Sequence, residues 1–324
     1  MNVYIATSHD PFYNLAIENW LFREMLTDNP ILYLWQNKPS VIIGRAQNPW
    51  RECNIDAINN DNIPIVRRQS GGGTVYHDLG NLNYTIMAKL EDYDKKANLA
   101  LILSVLKSCS INAHASDQND ILVRHENINY KISGSAFRET KDKSFHHGTL
   151  LINANTSKLY HYLHHDIDES LSTKGVHSHR SSVINLAKIN PNISVERLLN
   201  CFLNKFNQYI TYLPDHMENT LVIGEENVLR TWQYRFGKAL PFSRSFIFNN
   251  DKITLEIKNG QIVQLKNSDN EYFNLKAYLQ LVKPIYTKQS FDKAQKEALY
   301  FTAQEQALLD YLYVNTANVT VEHS

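Results

Sequence analysis

Leu99, Ile102, Leu103 and Leu106 recur at i, i+3, i+4 and i+7, the one-sided spacing of an amphipathic helix. Around this helix the apolar residues fall in much shorter runs, at 31–35, 41–43, 63–66 and 83–87 before it and at 111–115, 121–123, 130–133 and 149–152 after it. Each run has strand length and is bounded by polar turns. Asp10-Pro11 supplies an N-cap and a proline at the first helical position, so a first helix runs along the apolar residues from Leu15 to Met25. Helical spacing returns near 157–163 and again after Ser194, where Val195, Leu198, Leu199, Phe202 and Phe206 share a face. Strands mixed with helices in this way restrict the chain to an α+β (α/β mixed-sheet) core, of about 240 residues.

After Pro241 the pattern changes. Three strands, near 246–248, 253–257 and 262–265, are joined at Asn249-Asn250-Asp251 and at Asn259-Gly260, and Asn-Gly is a strong hairpin signal. One helix from Tyr272 to Val282 and a second from Ala294 to Tyr313 close the chain. We therefore expect a catalytic domain over 1–243 and a small α+β C-terminal accessory domain over 247–324.

Basic and acidic residues balance at 33 each, which argues against a bulk nucleic-acid binder. No stretch approaches a membrane span, and Met1-Asn2-Val3-Tyr4-Ile5 lacks the basic and apolar regions of a signal peptide. Cys53, Cys109 and Cys201 are odd in number and widely spaced, so they read as reduced thiols in a cytoplasmic protein.

The chain has only eleven glycines, and three are consecutive at Gly71-Gly72-Gly73. Backbone N–H groups in such a run can wrap an anion, and Arg67, Arg68 and Ser70 add side-chain donors beside it. Taken alone, the same run is also compatible with a glycine hairpin flanked by solvated arginines. Neither GxxxxGK[ST] nor GxGxxG is present, which disfavours a P-loop enzyme or a dinucleotide-binding dehydrogenase. Lys131 lies inside an apolar, strand-like stretch, where a lysine either meets an anion or faces outward from an edge strand. Asp120 offers a hard oxygen for magnesium. His146 and His147 point to opposite faces of one strand, so one of them at most faces a pocket. His77-Asp78 is a candidate acid–base pair. A serine hydrolase of the nucleophile-elbow type is excluded by the absence of GxSxG.

Together these clusters resemble a known family. Arg67-Arg68-Gln69-Ser70-Gly71-Gly72-Gly73-Thr74-Val75-Tyr76-His77-Asp78-Leu79-Gly80-Asn81-Leu82-Asn83 is similar to the RRxSGGGxVxHDxGNxN signature of the lipoate–protein ligase A family. Gly44-Arg45-Ala46-Gln47-Asn48-Pro49-Trp50, Asn119-Asp120, Lys131-Ile132-Ser133-Gly134-Ser135-Ala136-Phe137-Arg138 and Phe145-His146-His147-Gly148-Thr149 follow that family's order, as do Lys174-Gly175-Val176 and Arg180-Ser181. His177 and His179 around Ser178 depart from it.

The resemblance implies the biotin/lipoate ligase catalytic core, akin to class II aminoacyl-tRNA synthetases. It implies activation of lipoate by Mg-ATP to lipoyl-AMP, then transfer to a lysine of a lipoyl domain, as in 2-oxoacid dehydrogenase E2 subunits and the glycine cleavage H protein. This is a lipoate-salvage activity, with octanoate left open as a second acid. ATP is a substrate and Mg2+ its companion ion, and neither nucleic acid nor a membrane is a partner. By resemblance Lys131 is catalytic, holding the lipoyl carboxyl group and the α-phosphate. Arg68 and Gly73-Thr74-Val75-Tyr76 bind ATP, with Gly72, Asn83 and Asn119 beside them. Arg67 and Ser70 lie at the carboxyl end, Asp120 carries or orients Mg2+, and Trp35, Ala136 and His147 line the acyl tunnel. Three alternatives are ranked below this one: a cysteine acyltransferase on the same fold, a biotin ligase, and a binding protein that has lost turnover. No cysteine lies between Cys109 and Cys201, the biotin-ligase signature GRGRxxRxW is absent, and Lys131, Arg68, Asp120 and the three glycines are all present.

Overall fold

The computed structural model describes residues 1–163, 169–175, 177–178, 181–206, 209–268, 271–297 and 300–319. Val176, His179 and Arg180 of the sequence motifs lie outside the described residues. The chain forms two compact units. One comprises Met1–Arg45, Val66–Leu159 and Ser178–Arg230, the other Ala46–Ile65, Tyr160–His177 and Thr231–Ser324.

The first unit is built on a six-stranded mixed sheet in the order Ser135–Glu139, Lys143–Leu151, Asn81–Lys89, Ile31–Trp35, Asn2–Ala6, Ile210–Leu213. The first four strands run antiparallel, while Asn2–Ala6 is parallel to both of its neighbours. Alternation along each strand gives the sheet two unlike faces. Leu32, Leu34, Leu82, Tyr84, Ile86 and Leu150 face one way, into a core completed by Leu99, Ile102 and Leu106 of the helix Lys95–Ser108 and by Leu198 and Phe202 of Val195–Lys205. On the opposite face the register sets Tyr33 beside Thr85, Trp35 beside Asn83, and His147 beside Thr85. This second face is buried too, but it is polar, and polar groups are buried at a cost unless they are paired or serve a ligand.

The helices read around Leu99–Leu106 and after Ser194 are present and capped. Asp94 accepts from the Lys96 and Ala97 amides, and Ser194 accepts from Arg197 N–H at 3.0 Å. The first helix, Pro11–Trp20, starts at Asp10 as expected, with its carboxylate accepting from Phe12 and Tyr13 N–H at 3.0 and 3.2 Å. The reading of three reduced thiols needs correction. Cys109 and Cys201 form a disulfide, with Cα atoms 6.5 Å apart across a sequence separation of 92. Cys109 follows Lys95–Ser108 and Cys201 lies on Val195–Lys205, so the packing of these two helices creates a proximity that sequence spacing does not encode. Cys53 lies outside the disulfide and is buried.

In the second unit Leu171–Thr173, Phe242–Phe248, Asp251–Lys258 and Gln261–Lys266 form an antiparallel sheet. Both hairpin turns carry two consecutive left-handed residues, Asn249-Asn250 and Asn259-Gly260, as that turn chemistry requires. The single closing helix expected over 294–313 is two helices, Lys288–Glu297 and Ala303–Val314. The second begins anew because Thr302 and Glu305 make a reciprocal capping box. The expected boundary at 243–247 falls inside the strand Phe242–Phe248, and the unit also draws in Trp50, whose ring lies 5.5, 5.1 and 5.6 Å from those of Phe236, Phe242 and Tyr286.

Candidate active site

The glycine run connects two strands of a small sheet ordered Ile65–Arg67, Ser40–Ile43, Val75–His77. Arg68 N–H donates to the Ile43 carbonyl at 3.0 Å and Arg45 N–H to the Ser70 carbonyl at 2.9 Å, which fixes where the loop leaves the sheet. The Arg68 side chain then holds the loop from beneath. Its Nη2 donates to the carbonyls of Gly71 and Gly73 at 2.6 and 2.7 Å, its Nη1 to Ile42 O at 3.1 Å, and its Nε to Ser70 Oγ at 2.9 Å. Burial lowers the Arg68 pKa to about 10, while the nearby Glu18 carboxylate favours the charged form. With the carbonyls turned toward Arg68, the N–H groups of Gly71, Gly72 and Gly73 have no acceptor among the described residues. Three successive amides without an acceptor are the geometry that an anion cradle requires. Gly72 has φ +82°, and a Cβ there would come 3.2 Å from Ala136 Cβ.

Arg67 is fully buried and turns the other way, donating to the carbonyls of Gly44 and Arg45 at 3.1 and 3.0 Å. Thr74 is buried, with its N–H donating to Ser178 Oγ at 2.9 Å. Ser178 thus anchors the far end of the loop, a role sequence reasoning missed. Val75 and Tyr76 continue into the strand Val75–His77, opposite Ile42 and Val41.

Ser70 leads into a buried relay. Its Oγ lies 2.8 Å from His147 Nε2, and His147 Nδ1 lies 2.8 Å from Glu18 Oε1. Glu18 also accepts from Thr85 Oγ1 at 2.6 Å, and Trp35 Nε1 donates to Thr85 Oγ1 at 3.2 Å. Ser70, His147, Glu18, Thr85, Trp35 and Asn83 are all buried, and the hydrogen bonds through Glu18 and Thr85 bring Trp35, Ser70 and His147 together. Glu18 and Thr85 were missed. The available signal was a lone acid in the otherwise uncharged segment Pro11–Trp20.

The two histidines divide as strand alternation predicts. His146 points away, with Nε2 2.9 Å from Ser135 Oγ. Burial, with His147 and Lys95 adding to it, lowers the His146 pKa to about 3. His77 faces the Trp35 ring at 5.9 Å. Burial, reinforced by Arg68 and His147, lowers its pKa to about 3 as well, and its Nδ1 meets Asn37 Nδ2 at 3.1 Å. Asp78 accepts from Gly80 and Asn155 N–H, both at 2.8 Å, so it caps the turn after the strand rather than pairing with His77.

Lys131 lies on the strand Ile128–Ser133 and forms an ion pair with Asp120, 2.9 Å from Nζ to Oδ1. Asn119, with φ +63°, makes the turn that presents Asp120 at the start of Ile121–His125. Gly134 lies against Lys131, with a Cβ placed there coming 3.4 Å from Nζ. Two residues on, Ala136 lies against Gly72. The segment Gly134-Ser135-Ala136 therefore links the lysine to the glycine loop. Among the described residues no three metal-ligating side chains cluster, and the second oxygen of Asp120 has no protein partner. One open carboxylate oxygen suits Mg2+ that arrives with most of its ligands from phosphate and water.

Proteins of known structure share this fold. Over its whole length the chain is similar to LipL1 from P. falciparum, solved with lipoate, with a TM-score of 0.65, 29% identity, and 97% of this chain and 98% of that chain covered. A bipartite lipoate protein ligase from Thermoplasma acidophilum shares the fold, with a TM-score of 0.59, 22% identity, and 73% and 96% covered. So does a lipoate-protein ligase A solved with ATP, with a TM-score of 0.55, 22% identity, and 70% and 93% covered. Residues 10–207 match the lipoyl protein ligase A/B catalytic domain, and the chain belongs to that family.

Proposed function

We propose that this chain is an ATP-dependent lipoate–protein ligase, which activates lipoate to lipoyl-AMP and passes the lipoyl group to a lysine of a lipoyl domain. The observation that carries this reading is the placement of Lys131 and the three unpaired glycine amides at either end of Gly134-Ser135-Ala136. A carboxylate attacks a polyanionic triphosphate only where charge is neutralised and geometry is fixed. Gly71–Gly73 receive phosphate oxygens, with Thr74, Val75 and Tyr76 continuing the nucleotide wall. Arg68 acts by holding that loop. Lys131 bridges the lipoyl carboxylate and the α-phosphate, and Arg67 shapes the same end from within the fold. Asn83 and Asn119 border the site. Trp35, Ala136 and His147 border the acyl chain.

Asp120 would hold Mg2+, which when bound would neutralise phosphate charge there. The ion pair with Asp120 keeps Lys131 beside Gly134. The chain's own groups carry the remaining steps: they orient the acid, exclude water and position the acyl-adenylate for an incoming lysine amine. Octanoate fits the same requirements. E2 subunits and H protein are the acceptors of this reading, and the unit that contains residues 247–324 acts as an accessory domain during transfer. The described residues contain no helix long and apolar enough to cross a membrane, and the cytoplasm is the compartment this reading implies.

A cysteine acyltransferase gains no support, because Cys109 belongs to the apolar core on the other face of the sheet and is bonded to Cys201. The test combines the protein with lipoate, Mg-ATP and an apo lipoyl domain. Pyrophosphate release and a lipoyl mass increment on the acceptor lysine are expected. A folded enzyme that gives neither, or that forms biotinyl-AMP in preference, overturns the reading.

A further inference from the structure

We propose that Ser70 is also a nucleophile, and that Ser70, His147 and Glu18 cleave pre-activated medium-chain acyl esters and thioesters without ATP. The choice of acyl chain rests on the ligation reading; the serine chemistry rests on geometry alone. The hydrogen-bond relay of a serine acyl-transfer site is in place. Ser70 Oγ is 2.8 Å from His147 Nε2, and His147 Nδ1 is 2.8 Å from Glu18 Oε1. A carboxylate at Glu18 requires Nδ1 to carry the ring proton, which leaves Nε2 as the acceptor for the serine proton. Thr85 Oγ1 donates to Glu18 at 2.6 Å, so the orienting acid is itself held. Arg68 Nε donates to Ser70 Oγ at 2.9 Å and stabilises negative charge on that oxygen.

The residue after the serine is Gly71. In serine acyl transferases that position supplies an oxyanion-binding N–H, and here the Gly71 and Gly72 amides have no acceptor among the described residues. Beside Gly71 there is open space, since a Cβ built there meets no atom within 4 Å. No GxSxG motif surrounds Ser70, because the serine is held by a strand-to-glycine loop and by Arg68 rather than by a nucleophile elbow. This is why the arrangement is invisible in the sequence.

The chemistry balances within the site. Ser70 Oγ bonds to the acyl carbon while its proton passes to His147 Nε2. The bond to the alkoxide or thiolate breaks, and that leaving group takes the proton from His147. Water then attacks the acyl-serine, giving its proton to His147, which returns it to Ser70 as the free acid departs. Ser70 and His147 are catalytic residues in this step, and Glu18 is a positioning residue.

The experiment uses the full chain with p-nitrophenyl octanoate in the absence of ATP and Mg2+. Release of p-nitrophenolate above buffer is expected, together with an octanoyl adduct that maps to the peptide holding Ser70. Ser70→Ala is expected to abolish both. His147→Gln is expected to lower turnover on the order of 10²- to 10⁴-fold, the usual contribution of a general base. Glu18→Gln is expected to lower kcat with little change in KM, whereas a loss of structure alone would reduce the active fraction without that split. Ser70→Cys, which keeps a nucleophile at the position, is expected to accumulate the adduct as a thioester. Wild-type protein that ligates lipoate with ATP but shows neither ester turnover nor an adduct would overturn this proposal and leave the ligase reading intact. Ester turnover dependent on Ser70 in protein that never ligates lipoate would do the reverse. Full ester turnover in Ser70→Ala would also sink the proposal.

Discussion

Lys131 Nζ lies 2.9 Å from Asp120 Oδ1, with side chains 23% and 16% exposed, so the lysine proposed for catalysis is held by the carboxylate proposed for the metal. A partly solvated pair of this kind contributes no more than about 1 kcal/mol to folding. Lys131→Ala is therefore expected to unfold within about 2–4 °C of wild type. Its lipoate-dependent pyrophosphate release should fall on the order of 10²- to 10³-fold or more, as when a transition-state charge partner is removed. Calorimetry and a pyrophosphate assay on one preparation test this. Full adenylation by Lys131→Ala would remove the lysine from the mechanism.

The glycine loop allows a sharper comparison between neighbouring positions. Gly72 has φ +82° and its Cβ would press on Ala136, whereas Gly71 faces open space. Gly72→Ala forces a left-handed backbone on a residue with a Cβ, at a cost of roughly 1–3 kcal/mol. We expect it to raise the KM for ATP at least tenfold. Gly71→Ala should be neutral for folding and milder toward ATP. Equal effects from both would show that the loop conformation is not what binds the nucleotide.

Arg68→Lys keeps the charge and removes the fork. Four backbone or hydroxyl acceptors, on Ile42, Ser70, Gly71 and Gly73, rely on that guanidinium. Each lost charge-assisted bond is worth roughly 1.5–3 kcal/mol when left unreplaced, and a lysine restores one or two of them. The expected result is a stability loss of about 2 kcal/mol or more in denaturant titration, with weaker ATP binding. An unchanged unfolding midpoint would show that the loop holds itself.

Much of this was legible in advance, and the parts that were not share a physical cause. Local signals such as Asp10, Ser194 and the helical spacing around Leu99–Leu106 act within a few residues, and they fixed the helices. The turn residues Asn249-Asn250 and Asn259-Gly260 did the same for the hairpins. Glu18, Thr85 and Ser178 acquire their roles only when distant strands come into register: Glu18 meets His147 across 129 residues, and Thr74 meets Ser178 across 104. The Cys109–Cys201 pair depends on helix packing in the same way. Arg67 and Arg68 look alike in sequence, but one turns into Gly44 and Arg45 and the other holds the loop.

Two buried histidines set the acid limit of the fold. His77 and His146 have pKa values lowered from 6.5 to about 3, chiefly by burial. Their folded-state values lie below the unfolded one, so the unfolded chain binds more protons between these limits. Their contribution to stability is present above pH 6.5 and is lost as pH falls from 6.5 toward about 3. Each group gives a slope approaching about 1.4 kcal/mol per pH unit, so going from pH 6.5 to pH 5 costs up to roughly 4 kcal/mol for the two together. Denaturant titrations at several pH values test this, and His77→Gln should flatten the slope by about half. Acid stability independent of both residues would mean that the folded chain protonates them as readily as the unfolded chain does.

The second unit yields the last prediction, because it is not a C-terminal appendage in sequence. Leu171–Thr173 pairs with Phe242–Arg244, and Trp50 packs its ring against Phe236, Phe242 and Tyr286. A chain ended at residue 243 keeps Trp50 and Leu171 but loses Tyr286, Arg244 and the strands Asp251–Lys258 and Gln261–Lys266. Removing the large partners of a buried aromatic costs about 3–5 kcal/mol per site, and here an entire sheet is lost with them. The 1–243 fragment should therefore expose Trp50, bind a hydrophobic dye, and lose the cooperative unfolding transition of residues 46–65 and 160–177. Trp50→Ala in the full chain should weaken the same unit by a comparable amount. Hydrogen exchange over Ala46–Ile65 reads both effects directly. A 1–243 fragment whose Ala46–Ile65 amides stay protected as in the full chain would show that the unit is continuous after all and that the boundary belongs near residue 243.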